Sequence, residues 1–94
     1  MARLIKTDGT EEIVLPAGPK WTFKELQKHV GGYIEYMPSV GKLRMIMDED
    51  GRMKGKPVNA KATKIVTECL TGRALRYQPV IVGDVLILDQ GEKT

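Results

Sequence analysis

The run Trp21-Thr22-Phe23-Lys24-Glu25-Leu26 constrains this chain more than any other stretch, because it fixes where a helix must begin. Thr22 can accept a hydrogen bond from the Glu25 amide while Glu25 reaches back to the Thr22 amide, a reciprocal capping box. Trp21 and Leu26 occupy the two positions whose side chains staple the entry of the chain to the first turn. The predicted helix covers residues 23–30. Phe23, Leu26 and Val30 share its core face, and Lys24, Glu25 and Lys28 point away. Gly31-Gly32 stops it, since glycine readily takes the left-handed conformation at a helix end.

The flanks are written in a different period. Arg3-Leu4-Ile5-Lys6 and Glu12-Ile13-Val14-Leu15 are short β-prone runs separated by Thr7-Asp8-Gly9-Thr10. An Asp-Gly pair between such runs predicts a hairpin, because tight hairpin turns need positive φ. Pro16-Ala17-Gly18-Pro19 cannot continue a ladder and reads as a loop. After the helix, residues 33–37 predict a strand with Tyr33, Glu35 and Met37 on one face and Ile34 and Tyr36 on the other. Ser39-Val40-Gly41 turns the chain, and residues 43–47 predict another strand, closed by the turn Asp48-Glu49-Asp50-Gly51. Asn59 suits a helix N-cap. Residues 60–70 predict a second helix with Ala62, Ile65, Val66, Cys69 and Leu70 inward and Lys61, Lys64 and Glu68 outward. Gly72 ends it, residues 73–78 connect, and Pro79-Val80-Ile81-Val82 with Gly83-Asp84 leads into a buried strand at 85–88. The order ββαββα(β)β is an α+β fold, a mainly antiparallel sheet with two helices against it. Residues 1–89 form one domain and 90–94 a frayed polar tail.

Composition narrows the function classes. The chain holds one histidine (His29), one cysteine (Cys69) and one serine (Ser39). A reacting bond needs a nucleophile, a base and a charge stabiliser within reach of one another, so binding is expected rather than catalysis. His29 lacks partners at zinc-ligand spacing, and Cys69 on an inward helix face reads as a small hydrophobe. Neither a metal nor a cofactor is expected. The formal net charge of +3 permits an anionic ligand without demanding one, and makes nucleic acid the less favoured partner. The opening residues lack the apolar region of a signal peptide, and no apolar run approaches a membrane span. A cytoplasmic location is therefore expected.

An ordered set of short motifs resembles a known family. Leu26-Gln27, Val30-Gly31-Gly32-Tyr33-Ile34-Glu35, Asp50-Gly51, Lys54-Gly55, Pro57-Val58-Asn59, Ala62-Thr63 and Val82-Gly83-Asp84-Val85 together resemble domain of unknown function 3846. This is a family of small proteins from phages, plasmids and bacterial genomes. The resemblance runs from the Asp8-Gly9 turn to Leu88 and brings no catalytic motif with it. It implies a mobile-element accessory protein, of the kind that binds a host protein, a nucleic acid or a defence signal.

The strongest candidate site is the basic stretch before the second helix. Arg52, Lys54, Gly55, Lys56, Asn59 and Lys61 would gather at a helix mouth, where backbone amides and partial positive charge suit a phosphate. The glycine spacing of a P-loop is absent. The bland reading is a solvated loop. The acidic turn 48–51 lacks the spaced ligands of a calcium loop. The alternative surface is apolar and aromatic. Trp21, Tyr33 and Tyr36 would contact a partner protein, although Tyr33 and Tyr36 cannot stack on one ligand from opposite strand faces. The expectations are thus a phosphorylated small ligand such as a nucleotide signal, in a counter-defence role, or a module that inhibits or redirects a host protein. A homo-oligomer through an exposed sheet edge is a further expectation.

Overall fold

Val85-Leu86-Ile87-Leu88 has no polar residue on either side of its alternation, and a strand of that kind must be covered on both faces. A computed structural model, describing residues 2–36, 44–69 and 80–88, places it at the centre of the sheet. The elements in chain order are β1 (Ala2–Ile5), β2 (Glu11–Val14), α1 (Phe23–Val30), β3 (Ile34–Tyr36), β4 (Arg44–Asp48), α2 (Ala60–Cys69) and β5 (Val85–Leu88). The sheet order is β2-β1-β5-β4-β3, with every neighbour antiparallel. This is the α+β arrangement read from the sequence.

The two helices lie on opposite faces of the sheet. Val85 and Ile87 join Ile5 and Met45 beneath Ala62 and Val66 of α2, with Ile81 completing that core. Leu86 and Leu88 point the other way, joining Ala2, Leu4 and Ile46 beneath Leu26 and Val30 of α1, with Trp21 closing the layer. The period of two along each strand therefore sorts the apolar residues into two cores. A fully buried aliphatic side chain in either contributes roughly 1.5–3 kcal/mol.

The local signals land close to their expected places. The Thr22 hydroxyl accepts from the Glu25 amide at 3.3 Å, and the Glu25 carboxylate accepts from the Thr22 amide at 3.2 Å. Glu25 also accepts from the Ala17 amide at 2.9 Å, which ties the proline loop to the helix start. That backbone bond leads the partners that hold the Glu25 carboxyl below its ordinary range against partial burial. The Lys6 amide donates to the Thr10 carbonyl at 2.9 Å and the Gly9 amide to the Lys6 carbonyl at 3.0 Å, with Gly9 at φ 90°.

Three expectations change. Phe23 does not join the core and stands 70% exposed. Leu26 and Val30 are buried, while Phe23 shares a flank of α1 with Gln27, which lines a cleft with Gly32 and Tyr33. Tyr33 precedes β3 instead of opening it, and its carbonyl accepts from the Glu49 amide at 2.8 Å. Residues 80–84 form no strand; Val82 makes only an isolated bridge with Val58. Met37, the turn at 39–41, Leu70, the connection at 73–78 and the tail lie outside the described residues, as does the side chain of Cys69.

Candidate functional site

The basic stretch is drawn inward by one acid. Asp48 ends β4 on the α1 face, opposite Ile34, and its side chain is fully buried. Lys54 Nζ lies 2.8 Å and Lys56 Nζ 2.6 Å from its Oδ2. Each lysine also reaches the end of α1: Lys56 donates to the Val30 carbonyl at 2.8 Å and Lys54 to the Gly31 carbonyl at 3.3 Å. Carbonyls there lack helical partners and carry the negative end of the helix dipole, so two ammonium groups suit them. Burial pushes the Asp48 carboxyl up; bonds from Lys54, Lys56 and the Asp50 amide outweigh it and hold the carboxyl at about 2. The bond to Asp48 raises Lys54 in turn.

The backbone is shaped around this clamp. Gly31 takes φ 81° as the helix cap, and its amide donates to the Gln27 carbonyl at 2.7 Å. Gly32 has no room for a side chain, because an added Cβ would sit 2.6 Å from both Asp48 Oδ1 and Lys54 Nζ. Gly32→Ala should therefore lower stability by about 1–3 kcal/mol, as overpacking does. Urea denaturation checks this, with Gly18→Ala, which meets open space, as the unperturbed control.

Asn59 closes a second knot. It is fully buried. Its Nδ2 donates to the carbonyls of Ile5 and Gly83, both at 2.9 Å, and its Oδ1 accepts from the Ala62 amide at 3.0 Å. One side chain thereby joins β1, the entry to β5 and the first turn of α2. Close by, the Gly83 amide donates to the Pro57 carbonyl at 2.9 Å, and Asp84 Oδ1 accepts from the Thr7 amide at 3.0 Å.

The candidate ligand residues consequently do not form one cationic rim. Arg52 donates to the Val80 carbonyl at 2.9 Å. Lys61 pairs with Glu11 at 2.8 Å, an acid that Arg3 also contacts at 3.1 Å. The bond from Lys61 leads in holding the Glu11 carboxyl below its ordinary range. Glu11 stands opposite Ile5 on the α2 face, whereas Asp48 lies on the α1 face. Lys61 is thus divided from Lys54 and Lys56 by the sheet. Asn59 is interior, and its amide donates to the Ile81 carbonyl at 2.7 Å rather than to a ligand. Gly55 keeps open space around it at φ 69°.

The aromatic candidates separate as well. Trp21 is 2% exposed and meets His29 edge-on at 5.8 Å, so its side chain has no face to offer a partner. Tyr33 and Tyr36 are exposed, together with Phe23 and Met53. Two shallow clefts flank the clamp. One, about 380 Å³, opens beside Lys28, His29, Lys56 and Asp84. The other, about 370 Å³, is lined by Gln27, Gly32, Tyr33, Asp50 and Lys54. Among the described residues, no three of His, Cys, Asp and Glu converge as a metal site requires, and no helix is long and apolar enough to cross a membrane.

The family model described as Domain of unknown function (DUF3846) matches residues 2–94. The chain belongs to that family. No curated protein and no solved structure matches it. The DUF3846 motif residues quoted above gather at the two knots: Gly31-Gly32 and Lys54 at the clamp, Pro57, Asn59 and Gly83 at the junction of β1, β5 and α2. In this DUF3846 chain they hold the fold together. Asp48 is the residue that sequence reading missed, taken there only as a turn. The available signal was an acid ending an apolar strand with lysines six and eight residues later.

Proposed function

We propose that this chain is a non-enzymatic protein-interaction module that engages its partner along the flank formed by α1 and β3. The observation that carries this reading is the set of exposed apolar side chains on α1, β3 and the adjoining loops. Phe23 is 70%, Tyr33 69%, Tyr36 44% and Met53 89% exposed. Phe23 lies one helical turn from Gln27, which lines a cleft with Tyr33 and Lys54. Aromatic residues rimmed by polar ones are the composition from which interface cores are built. The resemblance to a family of small proteins from phages, plasmids and bacterial genomes is compatible with a host protein as the partner.

The phosphorylated-ligand reading is weaker on these grounds. Lys54 and Lys56 already answer Asp48 and the α1 carbonyls, and Lys61 answers Glu11. An anion would have to compete with these partners, at the wrong end of a helix dipole.

Capture from host lysate tests the proposal. The double variant Phe23→Ala, Tyr33→Ala should keep its melting temperature and lose affinity for the captured partner at least tenfold, as hot-spot truncation does. Lys61→Ala should leave capture unchanged. Salt-sensitive stabilisation by a mono-, di- or cyclic nucleotide, with capture unaffected by the aromatic variant, would return the ligand reading.

A further inference from the structure

Among the described residues no strand lies outside β2, and the pattern of that edge is complementary to itself. We infer that the chain forms a two-fold dimer in which β2 pairs antiparallel with β2 of a second copy, making one ten-stranded sheet. The hairpin decides which backbone groups face out. The Lys6 amide donates to the Thr10 carbonyl and the Lys6 carbonyl accepts from the Gly9 amide, so this pair closes the ladder in the bonded position with a glycine bulge. Bonded and non-bonded pairs alternate along an antiparallel ladder. Glu12, opposite Leu4, and Val14, opposite Ala2, therefore bond inward to β1. Glu11 and Ile13 turn their amides and carbonyls outward, and Leu15 would continue that alternation one residue beyond β2.

A two-fold axis through Ile13 uses all three. Ile13 then bonds to Ile13 of the second copy, and Glu11 and Leu15 bond to each other in both directions, giving about six hydrogen bonds by the same alternation. Side chains agree with this register. Ile13 is 60% and Leu15 66% exposed, large for aliphatic residues. Ile13 would cover its own copy, and Leu15 would lie along the stem of Glu11, whose carboxylate Arg3 and Lys61 already hold. Neighbouring registers are worse. An axis through Glu12 sets Glu12 against Glu12, and one through Glu11 sets Glu11 against Glu11, both like-charge pairs. An axis through Val14 leaves Glu11 unpaired. Pro16, which has no amide, ends the usable edge.

This inference is independent of the partner surface, because β2 and β3 are opposite edges of the sheet. Dimerisation through β2 would leave an α1–β3 flank at each outer end, and two such flanks would engage a multivalent partner with avidity.

Sedimentation and oxidative cross-linking of the whole chain test it. The expected mass is twice that of one chain, falling to a still cooperatively folded monomer in Ile13→Lys, whose melting temperature no longer depends on protein concentration. In the bonded register the two Ile13 Cα atoms lie about 5.5 Å apart, within disulfide reach. Ile13→Cys should then oxidise to a covalent dimer. Glu12→Cys should not, since Glu12 stands opposite Val14 of the second copy, and neither should the unaltered chain with Cys69 alone. A dimer that survives Ile13→Lys and leaves Ile13→Cys uncross-linked overturns the inference. So does a monomer at submillimolar concentration, which would leave the edge to an extended segment of another protein.

Discussion

Asp48→Asn should lower the unfolding free energy by about 2–4 kcal/mol at neutral pH, as breaking a buried ion pair from one side does. The substitution keeps the shape of the side chain and removes its charge. Lys56, only 22% exposed, then loses its counter-ion, as does Lys54 at 43%. Lys56→Met should consequently cost more than Lys54→Met. The pH dependence isolates the charge. The Asp48 carboxyl titrates at about 2 in the folded chain, below its ordinary 3.8. A depressed folded value stabilises above the unfolded value and is lost as pH falls through the folded one. The favourable contribution is therefore complete above about pH 4 and declines towards about pH 2. Urea denaturation across that range should show a falling limb in the unaltered chain and a flatter one in Asp48→Asn. An equal slope in both would mean that other carboxylates carry the acid sensitivity.

Asn59→Ala should cost about 3 kcal/mol, because it strands two carbonyls and a helix-end amide in the interior at once. Asn59→Asp should cost at least as much at neutral pH. It would set a buried carboxylate against the carbonyls of Ile5 and Gly83, which can only accept. Its deficit should shrink as pH falls, since the protonated acid can donate to one carbonyl. The carboxyl introduced by Asn59→Asp thus becomes less destabilising as pH falls, whereas the Asp48 carboxyl becomes less stabilising. Melting curves of the two variants across the same pH series distinguish them. If Asn59→Ala melts like the unaltered chain, the junction of β1, β5 and α2 does not depend on this side chain.

Features set by neighbouring residues were legible in the sequence. The Thr22 and Glu25 box, the Gly31 cap, the Asp8-Gly9 turn and the Asn59 N-cap each depend on atoms within a few residues of one another. The apolar periods likewise marked Leu26, Val30, Ala62 and Val66 as core. Phe23 failed the same test because a helical face has two flanks, and only packing decides which of them is covered. The separation of the candidate lysines was illegible for a related reason. Lys54, Lys56 and Lys61 are close in sequence, but their counter-ions, Asp48 and Glu11, sit on different strands and opposite faces.

By itself the sequence determined the helices, the turns and an α+β class, since these follow from short-range hydrogen bonds and side-chain period. Only the tertiary structure decided the strand order, the placing of one helix on each face and the fate of the lysines. Strand pairing joins residues as distant as Ala2 and Leu88, and a charge becomes a site or a strut according to what folds against it. Here a buried acid and a helix end reached Lys54 and Lys56 first.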